Sequence, residues 1–268
     1  MRANTRLGQH FLDDPALLER IAAASEAGPG DVVLEIGPGP GGLTRALLSR
    51  GATVVAIEKD RRMGAELVRR HADAPFALIE GDALELDWAA IVRPWTELGL
   101  RWRVVGNIPY YITSPLLEQA LTPPMPSSVT YLVQEEVANR LVAAPGTSAY
   151  GALTVGISGV ADVTIAMRIG RGAFRPPPKV DSALVHLVPR EVPLVPPSDV
   201  AALRRLVVSL FSYRRKRMQR ALREARGVSA AGAGEALLAA GIDPDLRPEA
   251  LAPEDFARLL AAVGPEAG

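Results

Sequence analysis

Cysteine is absent from this 268-residue chain, which excludes disulfides, thiolate metal ligands and a cysteine nucleophile. Histidine is scarce as well: only His10, His71 and His186 occur, far apart in sequence. Without cysteine or a helical histidine pair no metal site is expected, and each histidine reads as a surface or packing residue. No run of about 18 apolar residues appears, so no membrane-spanning helix is expected. Met1 to Arg6 is polar and leads into no apolar stretch, so a cytoplasmic location is expected by default. Neither sign of charge dominates, since the formal net charge is +0 at pH 7, and the chain is not basic throughout. There is no internal repeat. No coiled-coil pattern or large apolar stripe calls for a partner, and a monomer is expected.

What is present is enough apolar material, 48% of residues, to bury a full core in one large domain with a smaller one beside it. The first two-thirds alternates β-branched apolar runs with helical patterns, the signature of an α/β fold with helices covering both faces of a mostly parallel sheet. Seven strands are expected: Val32 to Ile36, Thr53 to Ile57, Phe76 to Ile79, Arg103 to Val105, Val129 to Val133, Val163 to Met167 and Ala183 to Val188. Helix signals lie between them. Asp14 caps a helix with Pro15 at its first position, Leu43 to Leu48 is closed by Gly51, and Thr113 or Ser114 caps a helix opening at Pro115. Only a loop separates the last two strands, which predicts an antiparallel hairpin at one sheet edge. Pro189, Pro193, Pro196 and Pro197 mark a linker, so domains are expected at residues 1–189 and 190–268. The second is read as all helical. Leu203, Leu206, Val207, Leu210 and Phe211 share one apolar face, and Lys216, Arg220 and Arg223 line a polar face of the next helix. Gly227 to Gly234 is read as a small-residue loop before short final helices. From Arg204 to Arg226 basic residues face a lone Glu224, so the segment could neutralise phosphates or could simply be a solvated face.

Four motifs follow strands in order. Glu35-Ile36-Gly37-Pro38-Gly39-Pro40-Gly41-Gly42 ends a strand and opens a helix, where glycines let a ligand approach the backbone. Glu58, at the next strand end and beside Lys59, can accept hydrogen bonds from ribose hydroxyls. These two features serve a nicotinamide dinucleotide or S-adenosylmethionine equally well. Gly81-Asp82-Ala83 after the third strand favours the latter, with Asp82 placed to accept from a cofactor adenine amino group. Asn107-Ile108-Pro109-Tyr110 after the fourth is the most specific. An exocyclic adenine amine is a poor nucleophile because its lone pair is delocalised into the ring. The Asn107 side-chain oxygen and the Ile108 carbonyl can accept its two hydrogens and draw the nitrogen toward sp³ geometry. Pro109 makes those acceptors converge, and Tyr110 offers a ring on which a base can stack, worth roughly 1–3 kcal/mol. The plain alternative is a polar turn after a buried strand. A sulfonium methyl donor leaves as a neutral thioether, so neither acid, metal nor covalent nucleophile is required.

With those residues in view, the chain resembles the ribosomal RNA adenine N6-dimethyltransferases from Leu7 to about Leu260. Leu7-Gly8-Gln9-His10-Phe11-Leu12 is similar to the family's N-terminal motif, with His10 where Asn is usual. Ala173-Phe174-Arg175-Pro176-Pro177-Pro178-Lys179-Val180-Asp181-Ser182 matches its Phe-x-Pro-x-Pro-x-Val-x-Ser signature. The resemblance implies a Rossmann-like class I methyltransferase fold with S-adenosylmethionine held by His10, Leu12, Gly37, Gly39, Glu58, Lys59, Asp82, Ala83 and Asn107. It also implies that Phe174 covers the target adenine opposite Tyr110, against the alternative of a proline-stiffened hairpin with Phe174 in the core. Tyr150 to Val155 and Arg214-Arg215-Lys216 look more like the small-subunit branch, which implies RNA contacts by Arg214, Arg215, Lys216 and Arg220. Arg217-Met218-Gln219-Arg220 departs from that branch's usual Thr-Leu-x-Asn, and Tyr111 stands where many relatives have Asn or His.

The expected activity is dimethylation of two adjacent adenosines in the 3′-terminal hairpin of small-subunit (16S) rRNA during ribosome assembly. The rivals are a large-subunit (23S) rRNA methylase conferring macrolide resistance, a DNA adenine methylase, and a non-catalytic small-subunit assembly factor.

Overall fold

The computed structural model describes residues 10–265, so Leu7, Gly8, Gln9 and the stretch Met1 to Arg6 lie outside the described residues. Two compact units form, one of residues 1–138 and 163–189, the other of residues 139–162 and 190–268. Among the described residues no helix is long and apolar enough to cross a membrane.

In the first unit the chain forms β1 (Phe11–Leu12), α1 (Pro15–Ala24), β2 (Asp31–Ile36), α2 (Gly42–Ser49), β3 (Thr53–Glu58), α3 (Arg61–Arg70), β4 (Phe76–Glu80), α4 (Trp88–Thr96), β5 (Arg101–Asn107), α5 (Thr113–Ala120) and β6 (Val129–Gln134). A short helix, α6 (Glu135–Leu141), leads into the second unit, where α7 (Ala152–Ser158) lies. The chain then returns as β7 (Ala161–Ile169), β8 (Phe174–Arg175) and β9 (Ser182–Pro189). The main sheet has seven strands in the order β4-β3-β2-β5-β6-β9-β7, parallel from β4 to β6, with β9 antiparallel to β6. This is a Rossmann-like class I methyltransferase architecture. Strands β2 and β3 are buried almost throughout, and so they read as unbroken runs such as Val32-Val33-Leu34 and Val54-Val55-Ala56.

Register explains how distant residues meet. Ile36 of β2 pairs with Ile57 of β3 and Gly106 of β5, and Ile57 pairs with Ile79 of β4. Four strands therefore end level, and the segments after them, at Gly37, Glu58, Gly81 and Asn107, leave from one edge. The chain runs outward from β2 to β4 and then crosses back to β5 on the other side of β2. That reversal opens a crevice at the carboxyl ends of β2 and β5, where open α/β sheets bind ligands.

Some boundaries move for physical reasons. Strand β5 begins at Arg101, earlier than the apolar pattern indicates, because the buried Asp31 carboxylate accepts from Arg103 Nε at 3.1 Å and pairs with Arg101, also at 3.1 Å. Thr113 does not cap α5. A 3₁₀ turn over Tyr110–Ile112 runs straight into the helix, so the cap position falls on Ile112 and Thr113 is buried in the first turn. Asp14 caps α1 as expected, accepting from Ala16 N at 2.9 Å. The two-residue strands β1 and β8 pair with each other, Leu12 opposite Phe174, in a ribbon the sequence pattern does not reveal.

The second unit is helical: α7, then α8 (Val200–Ser212), α9 (Met218–Arg226), α10 (Ala230–Ala239) and α11 (Pro253–Val263). The apolar face of α8 is buried as expected, with Leu203, Leu206, Val207 and Leu210 inside. Residues 139–162 belong here and not with the first domain as drawn from sequence. Tyr150 is buried and its hydroxyl donates to the Leu251 carbonyl at 2.7 Å, while Gly159 packs against Leu203. Gly227 to Gly234 is not a loop either. Gly227 closes α9 in the left-handed conformation (φ 66°), Ser229 caps α10 by accepting from Gly232 N at 3.0 Å, and Gly232 and Gly234 lie within α10. A Cβ at Gly234 would come within 3.3 Å of Gln219 Nε2, so the small residues let α10 approach α9. Lys216 sits in the turn before α9 and not on its face.

Candidate active site

A cavity of about 370 Å³ occupies the crevice predicted by the strand order, within the usual size range of small-molecule sites. Its floor is apolar, from Ile36, Ile57, Ile108 and Leu132, and most of its polar groups come from the four loops that leave the sheet edge, with His10 and Glu35 added from the N-terminal segment and from β2.

The glycine loop fits a ligand through its backbone. Gly37, Gly39 and Gly41 all take positive φ, at 66°, 53° and 83°. A Cβ at Gly39 would also lie 2.9 Å from the Phe11 ring, so this position is closed to other residues by both conformation and contact. Gly37 N donates to Ile57 O at 3.0 Å, which stitches the loop to β3.

Glu58 is 6% exposed, and its two oxygens accept from Gly39 N at 3.1 Å and Asp60 N at 2.8 Å. Burial raises its pKa, and those backbone amides pull against the shift. Asp82 caps a 3₁₀ turn through Leu84 N at 3.1 Å and pairs with Lys59 Nζ at 2.8 Å. Its hydrogen bond to Lys59 lowers its pKa, so a carboxylate stands at the rim. The turn is braced from behind: Trp88 Nε1 and Gln119 Nε2 both donate to the Ala83 carbonyl, at 2.9 and 3.0 Å. Neither brace is indicated by the sequence motifs.

Asn107 is oriented by the N-terminal segment. Its side chain approaches the His10 carbonyl at 2.9 Å, and because a carbonyl only accepts, the amide nitrogen must face it. The Asn107 side-chain oxygen is therefore left for the cavity that Asn107 lines. The His10 ring is fixed in turn: Nδ1 donates to the Pro176 carbonyl at 2.8 Å, and the ring stacks on Tyr110 with centroids 6.1 Å apart. The Tyr110 hydroxyl lies 2.6 Å from Ser182 Oγ, so the tyrosine is held at its ring and at its tip. His10 and Ser182 thus acquire roles through side-chain contacts that link residues far apart in sequence.

Glu35 is a further polar group that sequence spacing does not single out. It is 1% exposed at the cavity wall and accepts from Thr44 Oγ1 at 2.7 Å. Burial, reinforced by the nearby Glu58 charge, raises its pKa to about 8, with the Thr44 hydrogen bond opposing.

The structure brings together His10, Leu12, Gly37, Gly39, Glu58, Lys59, Asp82, Ala83, Asn107, Ile108, Pro109 and Tyr110 around this one cavity. Phe174 is the exception. It is 0% exposed, does not line the cavity, and packs with Leu12, Leu17, Leu18 and Ile21 in the hydrophobic core. Alternation in β8 turns Phe174 inward and Arg175 outward, so the expected second stacking wall is a packing residue. Within the second unit, Arg214 donates to Glu249 Oε2 through Nε and Nη2 at 3.1 and 2.9 Å, which anchors the end of α8. Arg215, Lys216 and Arg220 are exposed, Arg220 lying 3.9 Å from Glu224. Among the described residues no group of three histidine, aspartate or glutamate side chains could hold a metal ion.

The cavity chemistry suits an adenosine-bearing sulfonium cofactor: acid acceptors at Glu58 and Asp82, an apolar floor, and open backbone at the glycines. The family model for ribosomal RNA adenine dimethylase matches residues 1–263. The chain belongs to the ribosomal RNA adenine dimethylase family. One relative, the ribosomal RNA small subunit methyltransferase A of Mesorhizobium japonicum, is 43% identical over 271 residues, covering 98% of this chain and 94% of that protein. Two solved members of the fold are similar over 94% of the chain. A dimethyladenosine transferase from Plasmodium falciparum has a TM-score of 0.78 at 27% identity, covering 96% of its own chain. The 23S rRNA methyltransferase ErmE has a TM-score of 0.70 at 29% identity, covering 98% of its own.

Proposed function

We propose that this dimethylase transfers methyl groups from S-adenosylmethionine to N6 of adenosine in small-subunit (16S) rRNA, twice per base, at two adjacent adenosines of the 3′-terminal hairpin. The observation that carries this is the Asn107 amide, turned by the His10 carbonyl so that its oxygen is free at the carboxyl edge of β5. Small-subunit rRNA is favoured over large-subunit rRNA by near full-length relatives named for the small subunit at 40–44% identity.

When bound, the cofactor supplies an electrophilic methyl group on a sulfur that leaves as a neutral thioether. The residues of this chain bind and orient. Glu58 accepts from ribose hydroxyls and Asp82 from the cofactor adenine amine, with Leu12 and Ala83 closing the pocket. The target adenine leaves its helix and stacks on Tyr110. In the first transfer the Asn107 oxygen and the Ile108 carbonyl accept the two N6 hydrogens and concentrate the lone pair on nitrogen; in the second, one of them holds the single remaining hydrogen, and each transfer releases one N6 proton to solvent. Arg215, Lys216 and Arg220 offer exposed cations to RNA phosphates, whereas Arg214 is committed to Glu249. The enzyme works as a soluble cytoplasmic monomer and needs no metal.

Asn107→Ala removes the acceptor together with the hydrogen bond to the His10 carbonyl. Methyl transfer to undermethylated small subunits is expected to vanish, while S-adenosylmethionine affinity measured by calorimetry falls at most partly. Near-normal turnover by that variant would contradict the mechanism.

A further inference from the structure

A second groove, of about 620 Å³, shares Phe11, Leu12, Leu18, Pro40 and Gly42 with the candidate active site but carries different charged groups. Glu58, Asp82 and Asn107 do not line it; Arg45, Arg70 and Arg175 do, with Asp13 as the one acid among its lining residues. Arg45 is exposed on α2 and makes no side-chain hydrogen bond or ion pair among the described residues. Arg70 donates to the Pro40 carbonyl at 2.7 Å and pairs with Glu66 at 3.0 Å, but Glu66 is shared with Arg69, so one carboxylate faces two guanidiniums. Arg175 donates to the Gly172 and Phe174 carbonyls at 2.8 and 3.0 Å. Contacts to neutral carbonyls orient a guanidinium without cancelling its charge. Helix α2 opens on the same groove from Gly41, with no side chain capping its first amides, which adds the positive end of the helix dipole.

We propose that this groove binds the phosphate backbone of the RNA strand flanking the methylated adenosine, a role that rests on the rRNA substrate proposed above. Cations spread along a groove of this size suit a run of phosphates better than a single carboxylate. Such contacts set the register and orientation of the strand and read no bases. The groove would therefore hold RNA on the first unit independently of the exposed cations near α9.

Each phosphate contact to single-stranded nucleic acid contributes about −0.7 to the slope of log affinity against log salt. Arg45→Gln/Arg175→Gln leaves Arg70, which braces the glycine loop, in place. Binding of a 16S 3′-terminal hairpin RNA would be followed by fluorescence anisotropy between about 50 and 200 mM salt. The double variant should lose about 1.4 from the slope, so the wild type should weaken about sevenfold more across that range. Affinity for S-adenosylmethionine should not change. Arg45→Gln alone, which removes no side-chain hydrogen bond or ion pair among the described residues, should lose about half as much slope at an unchanged melting temperature and so guards against misfolding of the double variant. A wild-type slope in both variants would overturn the assignment, as would a loss of cofactor affinity at unchanged slope, which would make the groove a carboxylate subsite. A wild type that neither binds nor methylates this RNA would overturn the proposed function with it; a wild type that does both, beside variants of unchanged slope, would overturn the groove alone.

Discussion

At the residue scale, Phe174 and Glu35 show burial deciding what a side chain does. Phe174 fills the core between β1 and α1, so Phe174→Ala should cost roughly 3–5 kcal/mol and appear as a large drop in melting temperature. Turnover lost at an unchanged melting temperature would instead return Phe174 to the substrate. Glu35 makes stability depend on pH. Its folded pKa of about 8 lies above the ordinary 4.5, so its contribution is complete below about 4.5 and is lost as pH rises toward 8. The slope can reach about 1.4 kcal/mol per pH unit. Glu35→Gln keeps an acceptor for Thr44 and should flatten the wild-type decline in stability over that window. Denaturation midpoints measured from pH 5 to pH 9 would check this, and parallel curves for the two proteins would contradict it.

At the scale of elements, what can be read from sequence is what parallel strands impose. The runs at Val32, Val54 and Val104 are buried on both faces and therefore conspicuous, and any motif that directly follows such a run must emerge at the carboxyl edge. Gly37, Glu58, Asp82 and Asn107 are legible for that reason. The β1–β8 ribbon is not, because two strands of two residues separated by about 160 positions leave no periodic trace. With it goes the burial of Phe174 and the contact of His10 with Asn107. Helix α10 is hidden by composition: alanine favours helix, but interspersed glycines imitate a loop until the Ser229 cap and the close approach to α9 are seen. The Pro189–Pro197 break is legible, yet the return of residues 139–162 to the second unit is a non-local pairing that composition does not carry. A fragment of residues 190–268 lacks Tyr150 and α7, leaving the Leu251 carbonyl without its donor and Leu203 without Gly159. It should fail to unfold cooperatively, as judged by near-ultraviolet circular dichroism on heating. A sharp native-like transition would show that residues 139–162 are dispensable to that unit.

At the scale of the whole molecule, zero net charge coexists with local cationic surfaces, at the turn before α9 and in the Arg45–Arg175 groove. A neutral protein of this kind gains RNA affinity from placed cations and not from its overall field. The central claim is the identity of the RNA and of the atom methylated. The purified protein and S-adenosylmethionine would be incubated with small and large ribosomal subunits from a strain lacking both methylases. N6,N6-dimethyladenosine would then be mapped by reverse-transcription stops. Stops are expected at two adjacent adenosines near the 3′ end of small-subunit rRNA and none in the large subunit. Stops confined to large-subunit rRNA, or none in either, would contradict that claim.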